Sequence, residues 1–234
     1  MDFTGQTVVI TGAAGNLGRA LAEAFSARGA NRVLVDRSSE VLARAFGAGT
    51  PATMLASTDL LDQGDVNATM QKAIDRFSRI DVLCNIAGGF RMGEPVHETS
   101  DATWDFLFDL NARTLLNAVR AVVPAMLKSG GGRIVNVGAF AAQKGAAQMG
   151  AYCAAKSVVI RLTESMAAEL RGRGINVNCV LPTVIDTPEN RAAMPDADPG
   201  RWVAPEDLAA AIVFLASPAA RAIHGAALPV SGLS

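Results

Sequence analysis

The only tyrosine in the chain, Tyr152, stands four residues before Lys156, one of just four lysines, in the run Ala151-Tyr152-Cys153-Ala154-Ala155-Lys156. On a helix, residues four apart share a face one turn apart, so a phenol and an ammonium would address one small volume. That pairing suits hydride chemistry. A carbonyl that becomes an alkoxide needs a proton, and a phenol with a pKa near 10 is a poor acid–base at neutral pH. A neighbouring ammonium favours the phenolate. Lowering the pKa by roughly 3 units takes about 4 kcal/mol of differential stabilisation, within reach of Lys156 plus a cationic ring in a water-poor pocket. A capping aromatic followed by a solvated helix lysine would show the same spacing.

A second constellation supplies what such a pair would need. Directly after the apolar run Thr7–Thr11 comes Thr11-Gly12-Ala13-Ala14-Gly15-Asn16-Leu17-Gly18, opening a helical pattern. Glycines Gly12, Gly15 and Gly18 allow a tight turn and close approach of backbone to a pyrophosphate, and helix N-terminal N–H groups favour its charge. The next strand candidate ends at Val35-Asp36-Arg37. A carboxylate there can accept both hydroxyls of an adenosine ribose and repels a 2′-phosphate, so Asp36 points to NAD(H). Arg37 argues the other way, since a guanidinium can pair with that phosphate, or it is a solvated residue near the adenine. Ala13 and Ala14 put no basic side chain in the loop.

Stepping outward, the elements that must position these residues alternate. Strand candidates are Thr7–Thr11, Arg32–Asp36, Thr53–Ala56, Val82–Asn85, Arg133–Val137, Ile175–Leu181 and Leu228–Val230, short and apolar without alternation, as strands buried on both faces are. Between them Asn16–Arg28, Asp65–Phe77, Asp101–Leu127, Ala151–Arg171 and Pro205–Leu215 carry helical spacing, with Asp65 and Asp101 as N-caps or first-turn acids. Repeated strand–helix alternation implies parallel strands and right-handed crossovers. The expected fold is therefore α/β, a Rossmann-type doubly wound sheet of seven mostly parallel strands with helices on both faces. One domain spans 1–234, and the proline-rich stretch 182–204 forms a short substrate loop. Charged residues make up 18% of the chain and the formal net charge is −1, which gives no reason for a nucleic-acid partner. Three cysteines (Cys84, Cys153, Cys179) and two histidines (His97, His224) form no metal-binding or disulfide pattern. No leader or membrane-spanning run is evident, so a cytoplasmic location is expected.

Taken in order, Thr11–Gly18, Asn85-Ile86-Ala87-Gly88, Asn111, Tyr152/Lys156 and Pro182-Thr183-Val184-Ile185-Asp186-Thr187 resemble the motif set of the short-chain dehydrogenase/reductase family across nearly the whole chain. The resemblance implies an NAD-dependent oxidoreductase acting on a small molecule, with Tyr152 as acid–base and Lys156 as its tuner and ribose ligand. It implies that Asn111 holds a water in a proton relay and that Gly12, Gly15, Asn16, Leu17, Gly18, Asp36 and Arg37 surround the adenosine and phosphates. It also implies that Asp59 and Leu60 flank the adenine, that Asn85, Ala87 and Gly88 line the cofactor, and that Ile185 and Thr187 contact the carboxamide and phosphate end. Asn111 could equally break or bend a helix, and Gly88-Gly89 could be only a turn. A homo-oligomer, tetramer or dimer, is expected because Asp101–Leu127 and Ala151–Arg171 are long and apolar.

One element of that pattern is missing. The family carries a serine thirteen residues before its tyrosine, where this chain has Ala139, and no serine or threonine lies between Asn136 and Tyr152. Losing such a donor typically costs roughly 10²–10³ in rate. Three explanations compete: a weakened NAD-binding sensor or scaffold, another donor such as Gln143 or Gln148, or a substrate that needs no hydroxyl. The segment Leu181–Asp198, followed by Trp202, resembles the corresponding loop of dihydropteridine reductases, which also lack the serine and reduce a conjugated quinonoid ring. Phe90, Met149, Trp202 and Met194 are candidate pocket residues. The cysteines are expected to be small core residues.

Overall fold

Seven apolar runs become strands in the computed structural model, which describes residues Met1–Ser234. They are β1 (Thr7–Thr11), β2 (Asn31–Asp36), β3 (Thr53–Ser57), β4 (Val82–Asn85), β5 (Gly132–Val137), β6 (Ile175–Pro182) and β7 (Ala227–Val230). All join one sheet in the order β3-β2-β1-β4-β5-β6-β7, and every neighbouring pair is parallel. Each strand end lies within one residue of the sequence expectation.

The helices are α1 (Asn16–Ser26), α2 (Ser39–Phe46), α3 (Gln63–Phe77), α4 (Asp101–Phe108), α5 (Thr114–Lys128), α6 (Gly150–Leu170), α7 (Pro188–Ala193) and α8 (Pro205–Leu215). Successive strand residues point to opposite faces, and both faces are covered. Val8, Ile10, Leu34, Val82, Val135 and Val180 pack against Leu17, Leu21 and Phe25 of α1 and Leu208, Ile212 and Val213 of α8. Val9, Val33, Leu83, Ile134 and Val177 pack against Val66 and Met70 of α3, Leu115, Val122 and Met126 of α5, and Val159 and Met166 of α6. Burying each such side chain stabilises the fold by about 1.5–3 kcal/mol. Two cores, one per face, explain why the strands show no polar alternation.

Three local features depart from the sequence expectation. The long helical pattern Asp101–Leu127 is interrupted by a π-turn at Asp109–Arg113. Helix α2, which the sequence reading passed over, buries only Leu42 and is started by Ser38 Oγ accepting from Val41 N at 3.3 Å. The proline-rich stretch contains α7. Asp62 Oδ1 accepts from Gly64 N and Asp65 N, and Ser100 caps α4, so Asp65 and Asp101 are first-turn acids, one of the two roles expected of them.

Because every strand is parallel, Thr11, Asp36, Asn85, Val137 and Pro182 all end on one edge of the sheet. There β1 lies between β2 and β4, where the strand order reverses direction and an open α/β sheet forms its crevice.

Candidate active site

The loop after β1 is shaped by what it must approach. Gly12 has φ +64, and a Cβ there would lie 2.9 Å from both the N and Cα of Ala87. Gly18 lies against its own loop: a Cβ would strike the carbonyl oxygens of Gly12 and Ala13. Gly15 has more room, its nearest atom being Gly12 O at 3.4 Å, and it leads into α1 as the N-cap with no side-chain cap. The N–H groups of the first turn are therefore left for a ligand. Asn16 and Leu17 open that turn, Leu17 buried in the core.

Asp36 ends β2 beside this loop. Its Oδ2 accepts from Ala14 N at 3.1 Å and its Oδ1 from Arg37 N at 2.8 Å, which fixes the carboxylate against the phosphate loop. Arg37 is exposed, and its guanidinium makes no hydrogen bond or ion pair within the chain. Asp59 is exposed and caps the turn that follows, accepting from Leu61 N at 2.9 Å. Leu60 packs against the α3–α5 core.

On the other side of β1, Ala87 and Gly88 follow β4. Asn85 itself is buried, and its side chain reaches sideways: Nδ2 donates to Asn136 Oδ1 at 2.9 Å, Asn136 Nδ2 to Thr163 Oγ1 at 2.8 Å, and Thr163 Oγ1 to Val159 O. That chain of bonds ties β4, β5 and α6 together and engages the Asn85 amide nitrogen within the sheet, while its Oδ1 is buried without a partner.

At Gly88 the functional groups meet. A Cβ on Gly88 would be 2.9 Å from Asn111 Oδ1 and 3.0 Å from Lys156 Nζ. Both polar atoms thus border a single point that only glycine leaves open. Asn111 is buried in the π-turn, its Oδ1 accepting from Gly89 N at 3.1 Å and its Nδ2 donating to Gly89 O and Leu107 O. Asn111 thus lies in a helix irregularity, and its Oδ1 borders the same point as Lys156 Nζ. π-turns of this kind recur at functional sites.

Lys156 Nζ donates to Val137 O at 3.0 Å, leaving two of its three N–H groups free. Tyr152, one turn earlier on α6, packs edge-on to Phe90 with ring centroids 4.8 Å apart, and its hydroxyl has no hydrogen-bond partner in the chain. Burial pushes the Tyr152 phenol up to about 12, with Cys153 adding a smaller push the same way. Burial also pulls the Lys156 ammonium down to about 8. In the chain by itself, loss of water around the phenolate sets the direction of the Tyr152 shift, and the expected lowering rests on Lys156 together with a cationic ring.

Ala139 leaves β5 in an extended conformation and is buried. Gln143 is exposed and lies outside the recess beside Tyr152. Gln148 lines that recess, together with Arg91, Met92, Glu94, Thr99, Thr103, Leu107, Met149, Gly150, Ala151 and Tyr152. Gln148 also holds a φ of +60, one of two non-glycine residues in the left-handed region. Its carbonyl accepts from Gly93 N at 3.0 Å, and its side-chain amide is unpaired. Such strain costs of order 1–3 kcal/mol and clusters at functional sites.

The proline-rich loop folds back over the phosphate loop. Ile185 bridges Val203 in parallel, and Thr187 Oγ1 caps α7 by accepting from Asn190 N at 3.2 Å. From that helix Glu189 Oε2 accepts from Asn16 Nδ2 at 2.9 Å, while Arg19 holds the other end of the Asn16 amide. Ile185 and Thr187 thus lie on a segment fastened to α1.

A model of the short chain dehydrogenases matches residues 6–198. The chain belongs to the short-chain dehydrogenase/reductase family. It is 37% identical to a D-threitol dehydrogenase of Mycolicibacterium smegmatis, an alignment covering 97% of this chain and 92% of that one. A short-chain type dehydrogenase/reductase from Mycobacterium ulcerans superposes with a TM-score of 0.93 at 26% identity, covering 100% and 90% of the two chains. A 3-ketoacyl-(acyl-carrier-protein) reductase from Brucella melitensis, complexed with NADH, superposes at 0.88 with 29% identity and 98% coverage of both chains. As a member of this family the chain is an oxidoreductase with the seven-stranded dinucleotide-binding sheet. No helix is long and apolar enough to cross a membrane.

Several residues that build this short-chain dehydrogenase/reductase site escaped the sequence reading. Thr11 Oγ1 accepts from Ile86 N at 3.1 Å and Ala87 N at 3.2 Å, which pins the loop after β4 to the end of β1. Asn117 Nδ2 donates to Leu60 O and Leu61 O and sets the turn at Asp59–Leu61. A hydroxyl ending a strand just before a glycine was a visible signal for Thr11. Asn117, mid-helix and far along the chain, gave none. Of the candidate pocket residues, Met149 lines the recess and Phe90 packs on Tyr152, whereas Trp202 and Met194 lie elsewhere. The three cysteines are buried and free.

Proposed function

We propose that the chain catalyses NAD(H)-dependent hydride transfer to or from a small carbonyl or quinonoid substrate, with Tyr152 as the acid–base, Lys156 and Asn111 as its supporting pair, and Arg91–Tyr152 as one wall of the substrate site. The observation that carries this reading is the meeting of Asn111 Oδ1 and Lys156 Nζ at the glycine-only gap beside Gly88. That gap adjoins a phosphate loop whose Gly12 packs on Ala87.

The residues fit the dinucleotide. Gly12 and Gly18 let the loop turn tightly where side chains would strike Ala87 and the loop's own carbonyls, the α1 N-terminus offers unpaired N–H groups, and Asp36 presents an acceptor where an adenosine ribose ends. A carboxylate in that place disfavours a 2′-phosphate, so NAD(H) is preferred over NADP(H), in keeping with the NADH held by the Brucella reductase. Once bound, the dinucleotide supplies the hydride and, when oxidised, a positive ring. The chain's own residues do the rest. The buried phenol of Tyr152 stays protonated at neutral pH and donates from Oη to the substrate oxygen or ring nitrogen as charge develops there. The Lys156 ammonium, still mostly charged near pH 7, restores that proton through Asn111-ordered solvent. Gln148, free and facing the recess with Tyr152, supplies the second donor that Ala139 cannot.

The exposed, largely apolar side chains Trp104 and Phe106 of α4, with Trp104 stacked on Phe108 at 4.3 Å, make self-association through this face part of the same proposal. Light scattering of the eluting protein measures it, and a monomer refutes it. The test of the activity is oxidation of NADH against a panel of 3-ketoacyl thioesters, simple ketones, quinones and quinonoid dihydropterin. Turnover of at least one, abolished in Tyr152→Phe, is expected. Tight NADH binding with no turnover of any would overturn the enzymatic reading in favour of a dinucleotide-binding sensor.

A further inference from the structure

The recess next to Tyr152 is small, about 40 Å³, room for a few heavy atoms and not for a whole substrate. What lines it is uneven in chemistry. Met92, Leu107, Met149 and Ala151 are apolar. Thr99 Oγ1 donates to Pro95 O at 3.1 Å and Thr103 Oγ1 to Glu94 Oε1 at 3.0 Å, so both hydroxyls are engaged. Glu94 is the one acid in the wall, and it is turned away: Oε2 accepts from Ser100 N at 2.9 Å, and its charge sits at the N-terminus of α4. Those bonds hold its carboxyl below the usual range, with Arg91 adding least.

Arg91 is different. Its guanidinium lies over the Phe106 ring, 4.2 Å from the centroid, and it has no hydrogen bond or ion pair within the chain. Stacking on an aromatic face fixes the plane of the guanidinium while leaving its edge N–H groups open. A fork-shaped donor held in place by a ring is suited to two parallel bonds to a carboxylate. The recess thus offers one ring-stacked cation with unused donors, among apolar side chains and the already engaged polar groups of Glu94, Thr99 and Thr103, on the same wall as Tyr152.

Resting on the hydride-transfer reading above, we infer that Arg91 and the recess around it form a subsite for a carboxylate on the substrate, so that the preferred substrates are oxo or hydroxy carboxylic acids. The carboxylate end docks edge-on to Arg91 in the recess, and the rest of the substrate runs out of it past Met92 and Met149 so that the oxygen-bearing carbon faces Tyr152. No bond changes at this subsite. It sets which carbon reaches the phenol.

Two measurements test the subsite separately from the chemistry. In the first, a series of ω-1 oxo acids from 4-oxopentanoate to 7-oxooctanoate is compared with the methyl esters, with NADH oxidation as the signal. An acid-to-ester ratio of kcat/KM of ten to a hundred is expected at one chain length, falling as salt is raised because the guanidinium is exposed. In Arg91→Gln that ratio falls to about one, and in Arg91→Lys it is intermediate, since the charge stays and the fork is lost. In the second, binding of hexanoate and of hexanamide to the NADH complex is followed by calorimetry. Neither ligand can react. Tighter binding of hexanoate, lost in Arg91→Gln while NADH binding and the folded circular dichroism signal persist, supports the subsite even if no oxo acid turns over. Equal turnover of acids and esters, or equal binding of hexanoate and hexanamide, overturns it and leaves the hydride-transfer reading standing.

Discussion

The two rims of the cleft are built by different means. Around β1, β2 and β4 the geometry is made of backbone: Gly12 against Ala87, Gly18 against its own loop, and Thr11 Oγ1 holding two N–H groups of the next segment. Around α6 and the loops after β4 and β5 it is made of side chains borrowed from distant places, with Arg91, Gln148 and Tyr152 on one wall and Ala139 where a donor is missing. A backbone site tolerates little change and binds what many relatives bind. A side-chain site can be rebuilt one residue at a time, and the proposed function has Gln148, on strained backbone, stand in for the hydroxyl that Ala139 lacks.

The comparison breaks most sharply at the phenol. On the proposed mechanism Tyr152→Phe removes the group that passes a proton to substrate, so kcat/KM falls by about 10³-fold or more while NADH affinity stays within a few-fold. A large loss of NADH binding instead would place Tyr152 with the backbone rim.

Gln148→Leu is expected to lower kcat by about 10²-fold, the usual cost of one donor to a developing oxyanion. Adding Ala139→Ser to that variant restores most of the rate, because a hydroxyl at the family's position replaces the lost amide. If the double variant is no faster than Gln148→Leu, Gln148 is not the substitute donor. A Gln148→Gly variant, which relieves the positive φ, separates strain from donation.

The ionisation of Tyr152 can be read without mutation, since it is the only tyrosine. In the free protein, phenolate absorbance is absent up to pH 10, because burial holds the group near 12. With saturating NAD⁺ the transition moves down by at least one unit, the positive ring stabilising the phenolate. Titration below pH 9 in the free protein would contradict the dominance of burial.

The smallest effect belongs to the rim made of backbone. Asp36→Ala removes an acceptor and a negative charge but leaves the cradle, so NADH binding weakens roughly tenfold and NADPH binding improves, measured by fluorescence titration. An unchanged preference would show that Arg37, not Asp36, decides the cofactor.

Much of this was legible in the residues. Strands buried on both faces announce themselves as apolar runs, and all seven were placed to within one residue. The glycine spacing, Asp36 and the Tyr152/Lys156 pair were legible because each is local, within a turn or a single loop. Helix α2 was not, because it is only eight residues long and buries Leu42 alone. The π-turn at Asn111 was hidden inside a continuous helical pattern, since one extra residue per turn leaves the composition unchanged.

Local sequence set the order of the elements, the glycine turn after β1 and the spacing of Tyr152 and Lys156, because each depends on periodicity or on a missing Cβ within a few residues. Only the tertiary structure decided which distant side chains share a wall: Asn111 and Lys156 at Gly88, Asn16 with Glu189, and Arg91 and Gln148 beside Tyr152. Those meetings depend on how parallel strands and their return loops pack. It also set the direction of the Tyr152 shift in the chain by itself, which follows from how much water the packed chain excludes.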